Sequence, residues 1–253
     1  MNTGFSLIAS CYDRFNSAGY EKYLAFFKCV VSKYSDIEVK QVLDLACGPG
    51  ELTKLLSEAG YDLAALDGSE EMLAEAIEKC DGLDVLFSCQ DMRAFELFGT
   101  VQATVCSFDC LNYLLSEKDV EKCFTLVNNY TEKGGLFVFD INTPYRYEAV
   151  FGNNSYVYED DGAMLVWQNF FNPKNGYCDF YLSRFTERAD GTYDRGDDIQ
   201  RQRRYFPDRI KRLLCKCGFE VCAVYGDTDC GEFTAESEKA YFVAKSVSGR
   251  AQG

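Results

Sequence analysis

Residues 42–50, Val-Leu-Asp-Leu-Ala-Cys-Gly-Pro-Gly, constrain this chain most, because a carboxylate follows them at a telling distance. Val42, Leu43 and Leu45 read as a short buried strand, and Gly48 and Gly50 permit a tight turn with bare backbone beside a ligand. Glu51 then opens a helix on which Leu52, Leu55 and Leu56 share one face. Tyr61–Asp67 reads as a second strand that ends in the acid. This order of strand, glycine turn, helix, strand and acid is the layout of a doubly wound nucleoside site, where the acid accepts hydrogen bonds from a ribose diol.

The turn is not that of a dinucleotide fold. Ala46 stands where a Gly-x-Gly-x-x-Gly run would begin, and Pro49 removes an N–H that a pyrophosphate would use. A ligand with adenosine and no phosphate suits it better. Asp44, deep in the first strand, is placed to help hold the turn.

Further segments extend the pattern: Asp67-Gly-Ser-Glu-Glu-Met-Leu73, Cys89-Gln-Asp91-Met92, Ala103–Leu114 and Lys133–Thr143. With the glycine turn they resemble the class I S-adenosylmethionine-dependent methyltransferases, in the family's order, over about residues 40–145. The resemblance implies an α/β fold, a doubly wound seven-stranded sheet with an antiparallel β insert, and S-adenosyl-L-methionine as cofactor. It implies that Asp67, with Gly68, takes the ribose, and that Asp91 takes the adenine between Met72 and Met92. Ala46, Cys47 and Gly48 would run beside the methionine part, with Asp44 behind them. The methionine ammonium would meet the strand end Cys106–Phe108 or Tyr12, and Tyr12–Phe15 with Tyr20, ahead of the main N-terminal helix, would either form a lid or simply pack.

On the acceptor side the resemblance points to Asp109 and Tyr113 as catalytic candidates, and to Asn112, Asp140, Asn142 and Tyr145 as substrate contacts. Asn112 and Asn142 read equally well as caps of a helix or turn. The runs Phe-Asp-Cys-Leu-Asn-Tyr-Leu and Phe-Asp-Ile-Asn-Thr-Pro are most similar to small-molecule methyltransferases of the glycine and aminosugar N-methyl type.

After Asp140 the pattern changes. Ser155–Glu159, Ala163–Phe171 and Tyr177–Thr186 read as strands, with a fourth near Ile199–Tyr205, separated by Asp-Gly and Asn-Gly turn signals. Leu165, Trp167 and Asn169 share one face; Val166, Gln168 and Phe170 share the other. The chain therefore divides into a lid and cofactor core (1–149), an antiparallel insert (150–204) and the rest of the core (205–253). The insert reads either as an acceptor wall or as the seam of a homodimer. Arg201–Arg204 reads as a solvated strand face, with binding of a substrate carboxylate or phosphate as the alternative. Pro207–Cys217 reads as a helix stopped by Gly218, and Phe219–Val224 and Ala240–Lys245 as the last two strands.

A net charge of −14 argues against a nucleic-acid partner, which needs a basic footprint, and an acidic pocket could attract a cationic amine. The same charge also serves solubility alone. The 13 cysteines lie scattered in apolar runs without a Cys-x-x-Cys pair, which points to reduced thiols in a cytoplasmic protein and to no metal site. No segment reads as a signal peptide or membrane span. With no histidine, any general base must be Tyr, Asp, Glu, Lys or water.

The expected activity is methyl transfer to nitrogen or oxygen of a small-molecule acceptor. The alternatives are aminopropyl transfer on the same fold, a non-catalytic S-adenosylmethionine-binding module, and, last, a dehydrogenase.

Overall fold

The computed structural model describes residues 9–160 and 162–248, with residues 9–18 and 160 described by their backbone alone. Helix α1 (Ala9–Tyr34) leads into alternating strands and helices: β1 (Gln41–Leu45), α2 (Glu51–Glu58), β2 (Asp62–Asp67), α3 (Glu70–Lys79) and β3 (Val85–Cys89). Next come β4 (Val101–Cys106), a 3-10 turn (Cys110–Tyr113), α4 (Glu117–Tyr130), β5 (Thr131–Asn142) and a π-helical turn (Arg146–Phe151). Strands β6 (Ser155–Asp160), β7 (Ala163–Asn172), β8 (Tyr177–Glu187) and β9 (Tyr193–Arg203) follow, then α5 (Pro207–Lys216), β10 (Phe219–Tyr225) and β11 (Lys239–Ser246).

The main sheet has seven strands in the order β10-β11-β5-β4-β1-β2-β3, with β11 antiparallel to both its neighbours and the rest parallel. Its strands alternate side chains between two buried faces, as a sheet covered on both sides requires. On one face Val42, Val105 and Val138 meet Phe26, Phe27 and Leu52 of the first two helices. On the other, Leu43, Phe137 and Phe139 meet Phe124 and Leu214 of α4 and α5. Strand order reverses between β1 and β4, so the turns after these two strands open a crevice at their carboxyl ends.

Strand β3 crosses to β4 without a helix, through the loop 90–100, folded on the Ala94 N–H to Asp91 carbonyl bond and plugged by buried Phe95. Two expectations change. Tyr12 and Tyr20 do not precede the N-terminal helix but lie within it. The fourth insert strand begins six residues earlier than its apolar content suggests, pairing with β8 from Tyr193↔Glu187 to Arg203↔Tyr177. Tyr205 leaves that strand and donates its hydroxyl to the Leu114 carbonyl.

Strands β6–β9 form a separate antiparallel sheet. One face carries Leu165, Asn169 and Phe180, all buried, while Phe170, Tyr181 and Ile199 on the other are exposed. At α4, Ser116 extends its backbone and accepts the Asp119 N–H at 3.1 Å. Ser116→Ala is expected to cost about 1 kcal/mol in urea denaturation through the lost cap.

Candidate active site

The turn after β1 places Ala46 and Gly48 in left-handed backbone, at φ 61° and 55°. The Gly48 N–H donates to Asp67 Oδ2 at 2.9 Å, and the Ser69 N–H to Oδ1 at 2.8 Å. One carboxylate thus ties the turn to the end of β2. Burial raises the Asp67 pKa against the pull of the Ser69 and Gly48 amides. Gly50 has a different task from the one its place in the motif suggests. A Cβ there would lie 2.7 Å from Ala76 Cβ, so the glycine lets α3 approach.

Around this turn lies a cavity of about 530 Å³. Ala46, Cys47, Gly48, Asp67 and Gly68 border it on the β1–β2 side; Met72 comes from α3, and Asp91 and Met92 from the loop after β3; Tyr20 and Phe108 close another side. Burial pushes the Cys47 thiol well up, which keeps it protonated. The wall suits a nucleoside without phosphate. Its cation is Arg93, which is already engaged by Asp91 through Nε at 2.8 Å and 3.0 Å and through Nη2. That hydrogen-bonded pair holds the Asp91 carboxyl below its usual range. Asp91 is therefore at the cavity, with its carboxylate paired to Arg93 and its side chain partly exposed.

Two cofactor candidates lie off the wall. Asp44 is fully buried, accepts the Thr53 hydroxyl at 2.6 Å, and leaves Oδ1 without a partner. Cys106 is a core thiol between β4 and its neighbours, with no face on the cavity. Tyr12 belongs to α1, and its side chain lies outside the described residues.

A second cavity of about 570 Å³ adjoins the first, and the two share Phe108 and Tyr113 as walls. Its apolar side is the insert: Trp167 and Phe180 cross at 88° with centroids 5.6 Å apart, and Phe151 meets them at 6.0 Å and 5.4 Å. Tyr23 and Tyr241 face it from the main domain. Phe170 and Tyr181, the other insert aromatics, point to the outer face and take no part.

Where the cavities meet, Asp109, Asp140 and Lys239 form a cluster. Phe108 and Asp109 are both left-handed, at φ 56° and 54°. Asp140, fully buried, accepts their N–H groups at 2.7 Å and 2.9 Å. Lys239 Nζ bridges Asp109 at 2.8 Å and Asp140 at 2.7 Å. Burial opposes the lysine charge, but the two carboxylates outweigh it and its pKa is raised. Gln202 Nε2 donates to the other Asp109 oxygen at 2.7 Å.

The acceptor-side candidates fare unevenly. Asp109 and Tyr113 line the second cavity. Tyr113 donates its hydroxyl to Gln200 Oε1 at 2.6 Å, and burial with the nearby Asp109 charge raises its pKa well above normal. Asn112, Asp140, Asn142 and Tyr145 line neither cavity. Asn112 joins the Arg203 carbonyl to the Asn142 N–H, both at 2.9 Å, and Asn142 Nδ2 reaches Gln202 at 3.1 Å. They stitch β5, β9 and the 3-10 turn together below the cavity floor.

The sequence reading missed Arg146, Gln200, Gln202 and Lys239. The Gln-x-Gln spacing in β9 was the available signal, since period two puts both amides on one face. Gln202 belongs to the run Arg201–Arg204 read as solvated, where Arg201 does face out to Asp179.

Among the described residues the cysteines are free thiols, no His/Cys/Asp/Glu group could hold a metal, and no helix is long and apolar enough to cross a membrane.

A methyltransferase-domain profile matches residues 42–135. A Bacillus subtilis (strain 168) protein that bears a provisional methyltransferase name is 31% identical over 240 residues, covering 94% of this chain and 95% of that one. The glycine/sarcosine N-methyltransferase of Aphanothece halophytica is 28% identical over 200 residues, covering 74% and 69%. Among solved structures, an S-adenosylmethionine-dependent methyltransferase from Clostridium acetobutylicum ATCC 824 superposes with a TM-score of 0.86 at 28% identity, covering 96% and 98%. With the seven-stranded sheet, the phosphate-free nucleoside cavity and the second cavity beside it, these likenesses place the chain in the family of S-adenosylmethionine-dependent methyltransferases.

Proposed function

We propose that this enzyme methylates a nitrogen or oxygen atom of a small molecule held in the second cavity. The observation that carries the reading is the wall shared by the two cavities: Phe108 and Tyr113 face both, so a donor in one and an acceptor in the other meet there. When bound, S-adenosyl-L-methionine supplies a methyl group on a cationic sulfur. The chain's own residues then have little covalent work to do, and the catalytic contribution is alignment and exclusion of water. Asp67 would hold the ribose hydroxyls, with Met72 and Met92 beside the base.

On the acceptor side, the aromatic wall excludes water and the Phe108–Asp109 turn fixes the floor. Asp109 is the carboxylate at the junction, oriented by Lys239 and Gln202, and in this reading its Oδ2 takes the acceptor proton. Lys239 stays protonated and serves as its positioning residue. The likeness to glycine/sarcosine N-methyltransferases supports nitrogen as the methylated atom.

Calorimetric titration with S-adenosylmethionine and S-adenosylhomocysteine, with NADH as control, tests the cofactor half. Micromolar binding of the first two alone is expected. Asp67→Asn should weaken S-adenosylhomocysteine by about 1–3 kcal/mol, through hydrogen bonds lost to a partly buried diol. Unchanged affinity in the folded variant would remove the ribose assignment.

A further inference from the structure

The chemistry of the second cavity narrows the acceptor, given that the methyltransferase reading holds. Most polar groups on its wall are engaged with one another. Gln200 accepts from Tyr113 and donates to Asp198 at 3.2 Å. Gln202 accepts from Asn142 and from Tyr147, the latter at 2.7 Å, and donates to Asp109. Asp227 takes the N–H groups of Asp229 and Gly231 at 2.9 Å and 2.8 Å. Few groups remain to read a pattern of ligand hydroxyls, while the three-ring wall of Phe151, Trp167 and Phe180 offers a broad apolar face.

Among the described residues the Tyr23 hydroxyl, Trp167 Nε1 and Arg146 Nε have no hydrogen-bond partner, and of these three Arg146 alone carries charge. Its guanidinium lies 4.8 Å from the Phe151 ring centroid, on the cavity wall, in a chain of net charge −14. Its ion pair, to Glu238, is long at 3.3 Å, and that carboxylate is half exposed to water. Lys239, by contrast, is locked between two buried or half-buried carboxylates. A guanidinium beside a ring, with one loose ion-pair partner and an unpartnered Nε, retains N–H groups for an anion.

We propose that the acceptor is an aromatic compound carrying an anionic group, carboxylate or phosphate, and that Arg146 is the residue that selects for the anion. A cavity of about 570 Å³ with this wall leaves a glycine-sized acceptor largely uncontacted. The ring packs on Trp167 and Phe180, and the anion displaces Glu238 from Arg146.

Trp167 is the chain's single tryptophan and lies in this cavity, so its fluorescence reports occupancy directly. The protein saturated with S-adenosylhomocysteine would be titrated with 3-(4-hydroxyphenyl)propionate, its neutral amide, 2-(4-hydroxyphenyl)ethyl phosphate, acetate and glycine. The ring acid or ring phosphate is expected to bind at least tenfold more tightly than the amide, and whichever of the two is tighter identifies the anion. Arg146→Met should erase that difference, Arg146→Lys should keep part of it, and Glu238→Gln should tighten the acid severalfold by freeing Arg146. Equal binding of acid and amide, or acetate and glycine matching the ring compounds, would overturn the proposal. Calorimetry on the same preparation separates the two levels. Homocysteine-analogue binding without a ring-acid preference sinks only this proposal, whereas its absence sinks the methyltransferase reading and the proposal with it.

Discussion

Asp140→Ala is expected to destabilise the protein by about 3–5 kcal/mol, the usual cost of removing one member of a buried ion pair. The side chain is fully buried and has three donors: the Phe108 and Asp109 amides and the Lys239 ammonium. Without it two amides lose their acceptor in the interior, and Lys239 keeps Asp109 alone. The same amides belong to two successive left-handed residues, a backbone that costs energy and persists only where its surroundings hold it. Phe108 also forms the wall shared by the two cavities, so the damage should reach binding. Urea denaturation should show the stability loss, and calorimetry should show weaker S-adenosylhomocysteine binding at temperatures where the variant is folded. Asp140→Asn, which retains one carbonyl oxygen, should lose less. A change under about 1 kcal/mol in Asp140→Ala would mean that the cluster does not hold the turn.

The parts of this site that were legible in the sequence are those built from neighbours. The turn at 46–50, its helix and Asp67 follow one another within a single strand–helix–strand unit, and local patterning is enough to assemble them. The role of Gly50 was less legible, because close approach of Ala76 comes from packing between α2 and α3 and not from the turn. Strand-end positions could be read from sequence but side-chain direction could not. Asn112, Asp140 and Asn142 stand at the carboxyl ends of strands or just beyond, where ligands bind, yet each turns into the protein to join backbone segments. Lys239 left no local mark at all, since it lies 99 residues from Asp140 and meets it only because β11 inserts beside β5. The start of β9 was hidden by composition. Asp194, Arg195, Asp197 and Asp198 give a polar run, and strand β8 imposes the extended form through backbone pairing.

Asp44 should make stability depend on pH in the opposite sense from an ordinary surface carboxylate. It is fully buried, and burial, countered only in part by the Thr53 hydroxyl, raises its pKa to about 7 from the ordinary 3.8. The nearby Asp67 charge adds to the shift. Between those two values the folded chain keeps a proton that the unfolded chain has released, so stability falls as pH rises. The contribution is complete below the unfolded pKa, declines through the interval, and is gone once pH has passed the folded value. A displacement of about three units corresponds to about 4 kcal/mol in all, with about 2–3 kcal/mol of it falling between pH 5 and 8.5. Asp44→Asn does not titrate and keeps an oxygen for Thr53, at a pH-independent cost for its amide hydrogens. The unfolding free energy of the wild type relative to this variant should therefore drop by that amount across the range, measured by urea denaturation at each end. A constant difference would show that Asp44 is ionised in the folded protein throughout. A neutral Asp44 would leave Asp67 as the carboxylate that ties the glycine turn to β2, which is the geometry the nucleoside cavity needs.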